Sequence, residues 1–329
     1  MKGMRIAVFG AGAWGTALAQ AFSAFHSVCL WGREADNIDE IRRTRENRLF
    51  LPGIALRPEL EFSADFDQAA AGADLHLIAT PLAGLRDTVR ALRQRAPVPF
   101  IWACKGLETG SGRLPHEIVD EETGTDAVYG LLTGPTFAAE VGRGLPAAIA
   151  LASKDAAFTH HWTRILHQPR LRVYANTDLV GCEIGGAVKN VIAIAAGVAD
   201  GMGFGLNARA ALITRGLAEI ARLAAALGGR HDTLMGLAGM GDLILTCTGD
   251  LSRNRQVGLA LAGGKSLSGI LAELGHVAEG VSTAREVARL GSRLGIDMPI
   301  CTAVDALLHH GLAARDAVER LLARDPKQE

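Results

Sequence analysis

Six residues near the N-terminus, Gly10-Ala11-Gly12-Ala13-Trp14-Gly15, constrain this chain more than any other stretch. They fit G-x-G-x-x-G and stand between a short apolar run, Arg5-Ile6-Ala7-Val8-Phe9, and a segment of helical character from Thr16 to Phe22. The apolar run suits a strand buried on both faces of a parallel sheet. Each glycine has its own physical reason. The first makes a tight turn, the second lets a pyrophosphate reach the backbone, and the third lets helix and strand pack closely. The helix N-terminus adds free N–H groups and the positive end of a dipole. Alone the pattern would describe any glycine-rich turn; between a strand and a helix it predicts a dinucleotide fold, with Gly10, Gly12 and Gly15 at the phosphates.

Strand-like runs then recur at helix-sized intervals. Val28-Cys29-Leu30-Trp31 ends in Gly32-Arg33-Glu34. An acidic residue at this strand end suits the ribose hydroxyls of NAD, whereas a nearby arginine suits a 2′-phosphate. With Arg33 ahead of Glu34, the expectation is NADPH, or use of both NADPH and NADH. Leu75 to Ala79 runs into Thr80-Pro81, Phe100 to Cys104 into Lys105-Gly106-Leu107-Glu108, and Val128 to Leu132 into Thr133-Gly134-Pro135-Thr136-Phe137-Ala138. Ala147 to Leu151 and Leu171 to Tyr174 follow. Open α/β sheets bind ligands beyond the carboxyl ends of their strands, so these tails are expected to line one crevice and Lys105 to be a site residue. The architecture is α/β, a Rossmann-type doubly wound parallel sheet.

Near Thr177 the strand signals stop and alanine- and leucine-rich helical patterns run to the end. With 329 residues two domains are the natural prior, here 1–176 for the dinucleotide and 177–329, all helical, for the substrate. Asn207 is the expected N-cap of a helix from Ala208 to Leu227 that Gly228-Gly229 ends, and Pro299 fits the first turn of another. The 34 basic and 35 acidic side chains give a net charge of -1, with no basic excess to attract nucleic acid. Five cysteines stand singly without a C-x-x-C pair, which fits small buried hydrophobes in a reducing compartment. The apolar run Val191 to Ala199 is closed by Asp200, short of a membrane span. A cytoplasmic protein is expected.

The helical half carries the candidate chemistry. In Cys182 to Ala195 apolar residues recur with helical spacing, yet Lys189 and Asn190 lie in the middle. That lysine must either snorkel outward or point its ammonium into a polar cavity. Gly185 and Gly186, one turn earlier, remove side chains where something else can approach, and Lys189 is therefore expected to face a bound substrate. Gly239-Met240-Gly241-Asp242-Leu243 places an acid among glycines, where an N-cap is the plainer alternative. Ser252-Arg253-Asn254 joins a hydroxyl, a guanidinium and an amide, the donors a phosphate takes at a helix start. Gly263-Gly264-Lys265-Ser266 only imitates the tail of a P-loop, because its first glycine falls on Leu259. The pairs His160-His161 and His309-His310 lack metal-ligand spacing, and no metal is expected.

Taken together, the glycine turn, Lys105-Gly106-Leu107-Glu108, Gly134-Pro135-Thr136-Phe137-Ala138, Val188-Lys189-Asn190, Gly239 to Leu243, Ser252-Arg253-Asn254 and Val277-Ala278-Glu279-Gly280 resemble, in that order, bacterial NAD(P)-dependent glycerol-3-phosphate dehydrogenase. The resemblance implies reversible reduction of dihydroxyacetone phosphate to sn-glycerol 3-phosphate for glycerophospholipid synthesis. It implies a cytoplasmic homodimer without membrane insertion, and a helical domain of the 6-phosphogluconate dehydrogenase-like type. By the same resemblance Ala13, Trp14, Arg33, Lys105, Ala138, Arg253, Val277 and Glu279 surround the cofactor. Lys105, Gly134, Thr136, Lys189, Asp242, Ser252, Arg253 and Asn254 surround the substrate. Thr136 stands where serine is common, and Trp14 where tyrosine or phenylalanine also occurs.

The chemistry so implied is hydride transfer with Lys189 as general acid, its pKa expected to be pushed down by burial and by Lys105. Asp242 is expected to bind substrate hydroxyls or to orient Lys189. Two rivals are a β-hydroxyacid dehydrogenase of the 6-phosphogluconate type and a nicotinamide-dinucleotide sensor without catalysis. The first lacks the Gly-Asp-Leu and Ser-Arg-Asn pairing; the second has no use for a proton donor.

Overall fold

The computed structural model describes residues 3–95, 97–124, 127–274 and 278–323. They form two compact units, Met1–Lys105 with Pro115–Leu179, and Gly106–Leu114 with Val180–Glu329. The chain passes to the second unit beside the switch of periodicity near Thr177, and the segment Gly106–Leu114 joins that unit out of sequence order.

The first unit is built on eight strands: β1 (Arg5–Phe9), β2 (Ser27–Trp31), β3 (Glu61–Ser63), β4 (Leu75–Ile78), β5 (Phe100–Trp102), β6 (Tyr129–Thr133), β7 (Ala147–Ala152) and β8 (Leu171–Asn176). Their order in the sheet is β3-β2-β1-β4-β5-β6-β7-β8. β1 pairs in parallel with β2 on one side and β4 on the other, so the connections reverse direction where β1 ends. Ligands bind at such a switch point. The sheet is parallel as far as β6; β7 then runs antiparallel to β6 and carries β8 parallel to itself. Ile6, Val8, Leu30, Leu75, Leu77, Ile101 and Leu132 bury the middle of the sheet in one core with Leu18 and Phe22.

The second unit is helical. Its axis is the helix Leu179–Gly201, 23 residues long. Every residue from Cys182 to Ala199 is buried. With a mean hydropathy of 1.5 over its most apolar window this helix has the length and composition of a membrane span, yet 94% of that window is buried inside the protein. It is a core helix, and Ile184, Val188, Val191, Ile194, Ile220, Leu223, Leu243 and Val287 share its cluster. The next helix starts at Gly205 and ends at Ala226, with Phe204 rather than Asn207 at its N-cap. Gly203 and Gly205, both at positive φ, make the reversal and let the helix begin at once, which leaves Asn207 inside the first turn. Gly228, at φ +87°, ends it. Pro299 is the first residue of the helix Pro299–His309.

Candidate active site

In the sheet unit the glycine turn has the shape its spacing demands. Gly10 has φ +118° and donates its N–H to Trp31 O at 2.9 Å. A Cβ on Gly15 would lie 1.9 Å from Gly10 O, so only glycine lets the helix Ala13–Phe22 pack against the turn. A Cβ on Gly12 would meet no protein atom within 4 Å. The space over Gly12 is open, and the chain leaves it for whatever approaches the backbone. The first turn of the helix Ala13–Phe22 has no acidic residue, so its amides and dipole face that space without a competing carboxylate. These features fit a dinucleotide pyrophosphate. Ala13, Trp14 and Ala138, far apart in sequence, pack against one apolar cluster around Ala17 and Val141.

Arg33 stands just beyond β2 with its side chain 85% exposed, and its Nε donates to Glu34 Oε1 at 3.1 Å. Gly32, before it, lies in tight packing, where a Cβ would fall 2.9 Å from Ala11 Cβ and 2.7 Å from Ile38 Cδ1. Lys105 is half-buried beyond β5. Gly134 and Thr136 follow β6; Gly134 has φ +140°, and the Thr136 hydroxyl donates to its carbonyl at 3.3 Å.

In the helical unit Lys189 does not snorkel. Its side chain is 7% exposed, and Nζ donates to Asp242 Oδ1 at 2.5 Å and to Thr246 Oγ1 at 3.0 Å. Asp242 is fully buried as the first residue of the helix Asp242–Thr248, whose N-cap is Gly241. Its carboxylate therefore serves the ammonium and not a cap. Thr246, one turn on, donates to Asp242 O at 2.6 Å, which turns its lone pairs toward the ammonium. Thr246 was missed in the sequence; its i+4 spacing from Asp242 was the available signal. Gly185 is explained differently from expectation. The group that approaches it is protein backbone, for a Cβ there would lie 2.5 Å from Ala238 O. That contact docks the π-turn Leu237–Gly241, which leads directly into Asp242, onto the helix that carries Lys189.

Ser252 caps the helix Arg253–Ala262 by accepting from Arg255 N at 3.2 Å. Asn254 Oδ1 accepts the Gly280 amide at 3.0 Å, at the start of the helix Glu279–Arg293. This leaves the amide nitrogen of Asn254 as the end that can donate elsewhere, the polarity a phosphate needs. Arg253 is exposed at the first helical position and Glu279 half-buried at the first position of its own helix. Val277 lies outside the described residues. Lys265 pairs with Glu273 at 2.6 Å after a helix end at Gly263, which disposes of the P-loop imitation. His309 Nε2 meets Val281 O at 2.8 Å, and His160 and His161 are exposed. Among the described residues no three His, Cys, Asp or Glu side chains form a metal-holding group. All five cysteines are buried; burial pushes the Cys247 thiol, close to Lys189, up to about 12.

Known proteins show the same two halves. Residues 5–159 match the family model for the NAD-dependent glycerol-3-phosphate dehydrogenase N-terminus, and residues 178–319 match that for its C-terminus. A glycerol-3-phosphate dehydrogenase [NAD(P)+] of Aromatoleum aromaticum is 68% identical over 99% of this chain and 100% of its own length. One from Dechloromonas aromatica is 61% identical over 99% of each. A crystal structure of glycerol-3-phosphate dehydrogenase from Coxiella burnetii superposes with a TM-score of 0.94 at 39% identity, covering 98% of this chain and 100% of that one.

Proposed function

The chain belongs to the NAD-dependent glycerol-3-phosphate dehydrogenase family and is an NAD(P)-dependent oxidoreductase acting on a small phosphorylated substrate, and from that premise we propose how its residues divide the work. Lys189 is the general acid. When bound, the nicotinamide supplies a hydride to the carbonyl carbon of dihydroxyacetone phosphate. As the C–H bond forms, the carbonyl oxygen gains negative charge, and Lys189 Nζ donates a proton to it to give the secondary alcohol of sn-glycerol 3-phosphate. The amine is reprotonated from solvent. In the oxidising direction the neutral amine takes the hydroxyl proton. Asp242 and Thr246 hold Nζ in one position, which is worth more than mere proximity when the proton must move along a defined line. The observation that carries this reading is the buried ammonium–carboxylate pair at 2.5 Å. An unpaired buried charge would be expelled or neutralised; here a carboxylate and a hydroxyl both meet the amine.

Ser252, Arg253 and Asn254 grip the phosphate, with Lys105, Gly134 and Thr136 completing the substrate contacts. Gly10, Gly12, Ala13, Trp14, Gly15 and Ala138 hold the dinucleotide, together with Lys105, Arg253, Val277 and Glu279. Arg33 receives the 2′-phosphate, which makes NADPH the preferred cofactor. The enzyme works as a cytoplasmic homodimer, not inserted in a membrane, that feeds glycerophospholipid synthesis; sedimentation at micromolar concentration checks the dimer. The test of the acid is Lys189→Ala. Turnover should fall by roughly 10²–10⁴-fold while NADPH binding stays as it is. A loss of less than tenfold rejects the assignment.

A further inference from the structure

The helical unit contains a second charged cluster that the reaction as described does not use. Asp200, in the last turn of the central helix, lies eleven residues beyond Lys189, about 16 Å along the axis. Its Oδ2 accepts from Arg255 Nε at 2.9 Å, from an Arg255 terminal nitrogen at 2.7 Å and from Arg209 at 3.0 Å. The other Arg255 terminal nitrogen donates to Asp250 Oδ1 at 3.0 Å. The Asp200 and Arg255 side chains are each 11% exposed. Arg255 is two residues from Arg253, on the same helix, and its guanidinium is taken up by Asp200 and Asp250.

The helix Arg253–Ala262 also lies against the central helix at backbone distance. A Cβ on Gly258 would fall 2.0 Å from Ile194 O, and one on Gly197 would fall 2.1 Å from Arg255 O. Two helices that meet through glycines have smooth facing surfaces. Such a contact fixes how close they come but does little to stop one sliding along the other. The Arg255–Asp200 pair supplies what the glycines lack: two guanidinium nitrogens meet one carboxylate oxygen, which ties the two helices together at one point along their length. Ser252, Arg253 and Asn254 begin the helix so pinned, and Lys189 sits on the helix that pins it.

We propose that Asp200 and Arg255 are positioning residues which fix the phosphate grip at one distance from the Lys189 ammonium, and so set the length of phosphorylated substrate that is turned over. The proposal rests on the reading of Arg253 as a phosphate ligand. A misplacement of about 1 Å at a distance from the reacting atoms costs on the order of 10²-fold, so loosening the register should be visible in kinetics without loss of fold.

The experiment compares kcat/KM for dihydroxyacetone phosphate with kcat/KM for unphosphorylated dihydroxyacetone, in wild type and in Asp200→Asn. Calorimetric Kd values for glycerol 3-phosphate and NADPH, and Tm, are measured alongside. The expected result is at least a tenfold fall in the ratio, carried by kcat for the phosphorylated substrate, with the Kd values for glycerol 3-phosphate and NADPH changed much less. Arg255→Lys keeps the charge but not the fork and should show a smaller fall of the same kind; it decides by the same ratio if Asp200→Asn does not fold. A ratio within twofold of wild type, or an equal loss on both substrates, overturns the proposal. Arg253→Ala separates the two layers. If it leaves the ratio unchanged, the phosphate reading itself fails; if it lowers the ratio and Asp200→Asn does not, only the positioning role fails.

Discussion

Removing the Asp242 carboxylate should expose how the Lys189 ammonium is held. The Lys189 side chain is 7% exposed and that of Asp242 0%, so Asp242→Ala leaves a cation with little access to water. Breaking a buried pair by removing one partner costs about 3–5 kcal/mol. Thr246 Oγ1, at 3.0 Å, remains as an acceptor, which places the expected cost near the lower end, about 3 kcal/mol. For a unit of this size that corresponds to a Tm lower by about 6–12 °C. The companion variant Lys189→Met/Asp242→Ala removes both charges and should recover all but about 1–2 kcal/mol, because no uncompensated ion is left. Urea titration followed by circular dichroism at 222 nm reports mainly on the helical unit. Trp14, Trp31, Trp102 and Trp162 all lie in the sheet unit and report on it separately by fluorescence. If Asp242→Ala costs less than about 1 kcal/mol, or the double variant is no more stable than the single one, the ammonium is not held as a buried pair. The oriented proton donor then loses its basis.

Three further outcomes follow from named contacts. Gly12→Ala should fold with its Tm unchanged and lose dinucleotide affinity tenfold or more, whereas Gly15→Ala, whose Cβ would lie 1.9 Å from Gly10 O, should destabilise by about 2 kcal/mol or more; thermal melts and NADPH titrations of both check the contrast. Arg33→Ala should raise KM for NADPH about tenfold and leave that for NADH within twofold, since a charge-assisted contact to a phosphate is worth about 1.5–3 kcal/mol; equal changes for both cofactors would remove Arg33 from the 2′-phosphate. Glu219, buried, accepts the amides of Ile300 at 2.6 Å and Cys301 at 3.1 Å, and burial pushes its carboxyl pKa up. The folded protein then keeps this proton where the unfolded chain has lost it, so its contribution to stability is present below the ordinary glutamate value of about 4.3 and is lost as pH rises through the raised one. Glu219→Gln should flatten that part of the curve, and urea midpoints from pH 4 to 7 that fall with equal slope in both proteins would refute it.

Much of this was legible in the sequence because it is local. A buried strand, a turn glycine and a helix start leave marks within six residues, so the Arg5 to Phe22 unit could be read directly. β3 could not, because Glu61-Phe62-Ser63 is three residues long, polar at both ends and paired only with β2. The reversal at β7 was also silent: Ala147–Ala152 is as apolar as a parallel strand, and direction is set by the connection and not by the side chains. Lys189 and Asp242 could each be suspected alone. That Asp242 orients Lys189 was one of two roles the resemblance offered; their direct contact across 53 residues, and the part played by Thr246, depend on how two helices pack.

The central helix shows why that packing had to be read from the structure. Four glycines lie inside it, Gly181, Gly185, Gly186 and Gly197, among many β-branched residues. Each glycine costs roughly 1 kcal/mol against alanine in a helix interior, about 4 kcal/mol together. By propensity alone this is a poor helix; burial of nearly all its length must offset that cost. At Gly185 and Gly197 the missing side chains admit the backbones of Ala238 and Arg255, which belong to the segments bearing Asp242 and the Ser252-Arg253-Asn254 grip. The residues that weaken the helix locally are therefore the ones that let the acid and the phosphate grip dock on it. A Gly197→Ala variant should raise local helix propensity and still lower stability, by about 2 kcal/mol or more, because its Cβ would lie 2.1 Å from Arg255 O. A Gly197→Ala protein more stable than wild type would show that propensity outweighs docking, and the glycines would then need another explanation.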